Sequence, residues 1–283
     1  MIELGAIVET WLELGAALPS GVLRLVLTDV DGVITRGEGQ AAELSVLDAL
    51  SRWNAAARDD PYVPALALCT GRQAPYVELM AQMTGTFLPC IFEHGAGLFF
   101  PSAFLYAFDA RLGPGYSARL AAVRAALDAE LLQSGRAFVQ PGKEATMTLY
   151  PLGGTSVDEL CQIASRLVPA DWGAERNVHG VEVRPRGIDK GLGAQQLAAA
   201  LGLSLAAMAG VGDSDPDLSY LRRVGLSAAP KNATPAVREG VEYVARAAYG
   251  EGLLEILAMI ERRNRQARLR PAARLTHDTV ARP

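Results

Sequence analysis

The chain has 283 residues, 50% hydrophobic and 20% charged, with a formal net charge of −4. That length lies where a single hydrophobic core stops growing, so two domains, or one domain carrying a large insertion, is expected. The acidic balance excludes a general attraction to nucleic acid or anionic lipid, and no run of about 18 uninterrupted apolar residues offers a membrane span.

Residues 1–20 are apolar but carry Glu3, Glu9 and Glu13 with no basic start, which predicts an amphipathic surface helix rather than a secretory signal. Cys69, Cys90 and Cys161 are odd in number, far apart and without metal-ligand spacing. Buried thiols in a reducing, cytoplasmic compartment are expected.

The stretch LVLTDVDGVIT (residues 25–35) sets a buried-strand pattern against two aspartates. If the strand stays extended to residue 31, Asp29 and Asp31 face the same way, because side chains alternate. Two such charges share a buried edge only when a proton or cation offsets them. Gly32 permits a sharp exit. An Asp-rich turn is the plainer alternative. A calcium loop fails, since Val33 and Gln40 stand where acidic ligands would be needed.

The next buried strand, Ala65 to Cys69, ends in Thr70-Gly71-Arg72. A hydroxyl beside a glycine suits a phosphate oxygen, although the same tripeptide also makes an ordinary turn. From residue 110 to 183 the pattern changes. Tyr116 to Leu132 has helical periodicity, followed by strand-like runs at Arg136 to Val139 and Thr146 to Tyr150. A second helix at Val157 to Leu167 precedes strand patterns near Trp172 and at Val178 to Val183. This α-β-β-α-β-β order does not continue a doubly wound sheet, so it reads as an inserted α+β cap lying over the main domain.

Lys143 and Glu144, in the turn between two cap strands, either reach a sugar hydroxyl or carboxylate or are plain hairpin-turn residues. Arg184 and Arg186, on the return into the core, could read a second anionic group. Lys190 opens the helical run Gly191 to Leu201, where a helix amino terminus favours anions. The lysines are Lys143, Lys190 and Lys231 alone, so a chain that otherwise uses arginine has placed a compact point charge here. A solvated helix-start lysine is the alternative. The strand pattern Leu205 to Val211 ends in GDSDPD, where Asp213, Asp215 and Asp217 open a helix. Taken singly, they are capping residues. GLGAQQ (191–196) mimics a dinucleotide fingerprint but lacks its third small residue.

The alternation of strand and helix predicts an α/β fold, a Rossmann-like doubly wound parallel sheet binding its ligand outside the carboxyl ends of the strands. Residues 1–109 and 184–262 form the core and 110–183 the cap. Residues 263–283, rich in arginine and broken by Pro271, form a basic tail expected to be frayed and solvated.

In order and spacing, DVDGVIT, CTGR, DKG and GDSDPD resemble the four motifs of the haloacid dehalogenase superfamily, in its phosphatase branch. The resemblance runs from about Leu23 to Ile260. The insert is similar to the small α+β cap of sucrose-phosphatase, trehalose-phosphatase, mannosyl-3-phosphoglycerate phosphatase and archaeal phosphoglycolate phosphatase. FEHGAG resembles that branch's Glu-Asn-Gly strand end, with His94 replacing Asn.

The resemblance implies that Asp29 takes the phosphoryl group as an aspartyl-phosphate. It makes Asp31 the general acid and base. Thr70 and Lys190 would hold the transferring oxygens, and Asp29, the Asp31 carbonyl and Asp213 would bind Mg²⁺. Asp217 and Ser214 would support them from behind, and Gly71, Arg72, Glu93 and His94 could touch substrate. Pro216 stands where the family commonly has Asn. The expected partner is a small phosphorylated metabolite, with a sugar phosphate ahead of phosphoglycolate and of a sugar phosphomutase reaction; neither nucleic acid nor membrane is expected, and the chain would be a monomer or homodimer. A catalytically silent phosphate-binding protein is the non-enzyme alternative. Dehalogenation is disfavoured, because it leaves no alkoxide for Asp31 to protonate.

Overall fold

A computed structural model describes residues 4–269. In chain order the elements are α1 (Ala6–Leu14), β1 (Leu25–Thr28), α2 (Leu44–Asp59), β2 (Ala65–Leu68), α3 (Ala74–Thr84), β3 (Cys90–Phe92), β4 (Gly97–Phe100) and β5 (Leu105–Phe108). Then follow α4 (Tyr116–Leu127), β6 (Ala137–Val139), β7 (Met147–Pro151), α5 (Val157–Leu167), β8 (Trp172–Arg176) and β9 (Val181–Pro185). The chain closes with α6 (Lys190–Leu201), β10 (Met208–Val211), α7 (Leu218–Leu221), β11 (Leu226–Ala229), α8 (Pro235–Gly240), β12 (Tyr243–Val244) and α9 (Tyr249–Arg268).

Five strands form a parallel sheet in the order β12-β11-β10-β1-β2. A single parallel bridge from Cys69 to Ile91 brings β3 alongside β2, and β3, β4 and β5 continue as an antiparallel ribbon. The sequence reading did not anticipate that ribbon. Both faces of the parallel sheet are apolar. Leu25, Leu27, Ala65 and Ala67 pack towards α6, whereas Val26, Leu66 and Leu68 pack towards α2 and α9. Burial on both faces explains why these strands read as unbroken hydrophobic runs.

The second sheet, β6-β7-β9-β8, is antiparallel. Met147, Leu149, Val181 and Val183 on one of its faces join Val123, Leu127, Leu160, Ile163 and Trp172 in a separate core beneath α4 and α5. Alternation then sends Thr148, Tyr150, Glu182 and Arg184 to the opposite face. Thr148 and Glu182 are nevertheless buried, because the main domain covers them.

Helix α9 runs through Arg268, past residue 263, where the basic tail was expected to begin. Asn264 is fully buried, hydrogen-bonding both the N–H and the carbonyl of Leu23, and Arg265 pairs with Asp60 and Glu261. These contacts hold the last turns of the helix on the core. Arg270, Pro271, Arg274 and Arg282 lie outside the described residues. Among the described residues, no helix is long and apolar enough to cross a membrane.

Candidate functional site

The carboxyl ends of β1, β2 and β10 are adjacent because those strands pair directly, so the residues following each one meet. Asp29 follows β1 immediately, its N–H bonded to Val211 of β10. Its Oδ1 accepts from the Val30 N–H at 2.7 Å and lies 2.9 Å from Lys190 Nζ. Lys190 is the first residue of α6, which Asp189 caps by accepting from the Leu192 N–H. The ammonium also donates to Asp217 Oδ1 at 2.6 Å. Two of its three protons are thus engaged, and one is left for another acceptor.

Asp217 is completely buried. Its Oδ2 accepts from the N–H groups of Asp213 and Ser214 and from the Ser214 hydroxyl, closing a capping box over the turn after β10. Pro216 occupies the first turn of this segment, where its missing N–H costs nothing, and its carbonyl accepts from Ser219 Oγ. Asp29, Asp213 and Asp217 each present an oxygen within 4.8 Å of the others.

So many buried carboxylates exceed what Lys190 can offset. Burial, with Asp217 and Asp213 adding to it, raises the Asp29 carboxyl well above its ordinary range despite Lys190. Burial and Asp217 push Asp213 up to about 7. Burial alone would lower the Lys190 pKa, but Asp217 and then Asp29 more than reverse this and raise it well above its ordinary range. Asp213 Oδ1 is buried without a hydrogen-bond partner among the described residues. Since Asp217 is occupied by Lys190 and the backbone, Asp29 and Asp213 are the carboxylates left facing a cation. A small set of carboxylates with room for waters and a phosphate oxygen is the donor set that magnesium prefers, so the residues present fit that ion. Gly32 leaves space for this arrangement: its φ is +87°, and a Cβ there would fall 2.1 Å from Asp213 Oδ2.

Asp31 departs from the expected geometry. The strand stops at Thr28, the chain turns at Gly32, and Asp31 forms an isolated bridge with Thr35. Its carboxylate is not one of the acidic triplet. Arg72 grips it twice, Nε to Oδ2 at 2.7 Å and Nη2 to Oδ1 at 3.1 Å. Arg72 in turn lies 3.2 Å from Glu38, which accepts hydrogen bonds from Tyr150 and Gln140 of the cap. The guanidinium expected to meet substrate is instead engaged by two carboxylates.

Thr70 is buried, and its Oγ1 accepts from the Arg72 N–H at 3.2 Å, leaving the hydroxyl proton to donate elsewhere. Gly71 is required by a neighbour: a Cβ there would fall 2.3 Å from His94 Nε2. Glu93 and His94 both adopt left-handed backbone conformations, φ 46° and 59°, so this strand end is strained.

The expectation that Glu93 touches substrate is corrected by its contacts. Its carboxylate is 1% exposed, and its two oxygens accept from the N–H groups of Glu144, Ala145 and Thr146 at 2.8–2.9 Å and from the Thr146 hydroxyl. It fastens the cap turn to the core. Replacing Glu93 with Ala strands three buried N–H groups, and we expect a loss of about 3 kcal/mol or more in unfolding free energy. Hydrogen exchange of the residue 144–146 amides should rise by at least about tenfold; unchanged exchange would show that the turn is held by something else.

Lys143 turns inward, its side chain 2% exposed, and pairs with Glu182 at 3.0 Å, whereas Glu144 is exposed. Arg184 is buried and bound to Glu175 and to the Ile188 carbonyl; Arg186 is exposed and donates to the Ala170 carbonyl. Both line a crevice of about 340 Å³ with Asp189, Asp215 and Pro216, beside Lys190 rather than over Asp29. Glu38, Tyr150, Thr148, Asn177 and Glu182 escaped the sequence reading. The one available signal was the polar residue at every second position of β7 and β9.

The model of the haloacid dehalogenase-like hydrolase family matches residues 156–257. A phosphoglycolate phosphatase of Methanothrix thermoacetophila is 38% identical over 77 residues, a match that spans 27% of this chain and 35% of that one. One from Halorubrum lacusprofundi is 26% identical over 242 residues, spanning 83% of this chain and 96% of that protein. The crystal structure of the sucrose-phosphatase from Synechocystis sp. PCC6803, in complex with sucrose and phosphate, superposes with a TM-score of 0.61 at 16% identity, covering 84% of this chain and 98% of that one. In its parallel sheet, antiparallel cap sheet and convergent strand ends, the chain is similar to the haloacid dehalogenase-like hydrolases and to these phosphatases.

Proposed function

We propose that the protein is a magnesium-dependent phosphomonoester hydrolase working through an aspartyl-phosphate on Asp29. The observation that carries this reading is the meeting of Asp29, Lys190, Asp213 and Asp217 at one sheet edge. Asp29 Oδ1 takes both hydrogen bonds recorded for its carboxylate, from Val30 and Lys190, which leaves Oδ2 to attack phosphorus. In the first step the Asp29 oxygen-to-phosphorus bond forms as the bond to the leaving oxygen breaks, and a proton passes from the Asp31 carboxyl to that oxygen. In the second, water attacks phosphorus, the bond to Asp29 breaks, and Asp31 takes the proton.

Negative charge spreads over the equatorial oxygens during each transfer, so positioned donors supply most of the rate. The third Lys190 proton and the Thr70 hydroxyl are the donors available for them. Asp217 fixes Lys190 rather than touching substrate. Asp29 and Asp213 would hold Mg²⁺, which would neutralise charge on the transferring phosphoryl group. Because Arg72 holds Asp31 by two hydrogen bonds, proton delivery requires Arg72 to release it, with Glu38 as the alternative partner.

A phosphorylated sugar is the substrate class we place first. Phosphoglycolate comes second, favoured by the names of the Methanothrix and Halorubrum relatives. The test is phosphate release from p-nitrophenyl phosphate by purified protein. Release should require Mg²⁺ and fall to background in excess EDTA. Mg²⁺ should also raise the thermal midpoint of the wild type and do so less in Asp213→Asn. Full turnover in EDTA would contradict the metal's role.

A further inference from the structure

The polar face of the cap sheet holds a buried group of side chains that the reaction above does not use. Lys143 Nζ lies 3.0 Å from Glu182 Oε2 and donates to Thr148 Oγ1, and Thr148 in turn donates to Glu182 at 2.9 Å. Asn177 Nδ2 donates to Glu182 Oε1 at 3.2 Å. From the core side, His94 Nε2 stands 3.4 Å from Glu182 Oε2, and Gln73 lies against the Gly142 turn. His94 also rests on Gly71, the residue after Thr70. The group thus forms a roof above the turn that ends β2.

Its charges cancel. Burial lowers the His94 pKa and favours the neutral ring. Burial alone would raise Glu182, but the adjacent Lys143 ammonium holds it well below the usual carboxylate range, so it stays ionised. The other buried or half-buried cations of this face are also matched, Arg72 by Asp31 and Glu38 and Arg184 by Glu175. What the roof leaves over is polar but uncharged. His94 Nε2 and Gln73 Oε1 are buried without a hydrogen-bond partner among the described residues. A hydroxyl both donates and accepts, so it can satisfy either atom. A carboxylate only accepts; beside Gln73 Oε1 and Glu182 it would lose its water and meet repulsion, with no unpaired cation in return.

We infer that Lys143, Glu182, Thr148, His94 and Gln73 form the binding site for an uncharged, polyhydroxylated leaving group and discriminate against a carboxylate-bearing one. This rests on the phosphatase reading above and decides between its two substrate classes. Glu182 acts here as a specificity element, because it neutralises the one lysine that could otherwise attract an acid.

The test is kcat/KM for glycerol 3-phosphate, glucose 6-phosphate and 2-phosphoglycolate with the magnesium-loaded protein, in the wild type and in Glu182→Gln. The wild type should favour the better polyol phosphate over phosphoglycolate by about tenfold or more. Glu182→Gln uncovers the Lys143 charge and should shift that ratio towards phosphoglycolate by about tenfold or more. Lys143→Met, a second variant should the first fail to fold, should shift it the other way. Because each ratio is taken within one variant, loss of folded protein cannot imitate the shift. A wild type that prefers phosphoglycolate, a ratio unmoved in both variants, or turnover of p-nitrophenyl phosphate with none of the three metabolites would overturn the inference. Absence of turnover on p-nitrophenyl phosphate as well would sink the phosphatase reading first, and this one with it.

Discussion

Asp29→Asn is expected to cut phosphate release by about 10⁴-fold or more, because the amide keeps the shape of the side chain but has no anionic oxygen with which to attack. Stability should move the opposite way. Asp29 is buried beside Asp213 and Asp217, and its carboxyl is raised by that burial and crowding. Removing one charge relieves the repulsion while Lys190 keeps its 2.6 Å bond to Asp217. A thermal midpoint in metal-free buffer at or above that of the wild type, together with lost turnover, is the paired outcome. Activity within tenfold of wild type would remove Asp29 from the chemistry.

Lys190→Met is expected to damage both properties. The methionine fills similar space but leaves Asp217 fully buried and Asp29 nearly so without their shared cation. Stripping one partner from a buried ion pair costs about 3–5 kcal/mol. The same change removes a donor aimed at the transferring oxygens, which corresponds to roughly 10²–10³ in kcat. Denaturant titration measures the first quantity, and steady-state turnover of the folded fraction the second. Mg²⁺ should recover part of the stability, since it offsets the same carboxylates; a variant as stable as wild type without metal would show that Asp29 and Asp217 do not depend on Lys190.

The strand ends that carry Asp29, Thr70 and Asp213 were legible in the sequence for a physical reason, and Lys190 as a lysine opening a helix in an arginine-rich chain. A parallel strand buried on both faces reads as an apolar run, and any charge that follows it stands out. The cap was legible as a change of element order, although its last strand begins at Val181 rather than Val178. Asp31 was placed on the assumption of a strand extended to residue 31, whereas β1 ends at Thr28; its double hydrogen bond from Arg72 comes from far along the chain, and no local pattern encodes it. Glu93 reads as one more polar residue after β3. Only the folded chain reveals that three cap amides converge on it from residues 144–146. Glu182 was hidden similarly, since its partners come from residues 143, 148 and 177 as well as from His94. Pairings across the cap and core depend on how the two sheets face each other, and no local pattern encodes that.

Attack by Asp29 is tested most directly by rapid acid quench of the magnesium-loaded protein during turnover of a phosphate-labelled sugar phosphate, followed by peptide mapping. Label should appear on the peptide containing Asp29, be released by hydroxylamine as an acyl phosphate is, and persist longer in Asp31→Asn, where water is no longer activated. Steady turnover with label absent from the protein, or present only on a residue other than Asp29, would contradict the mechanism.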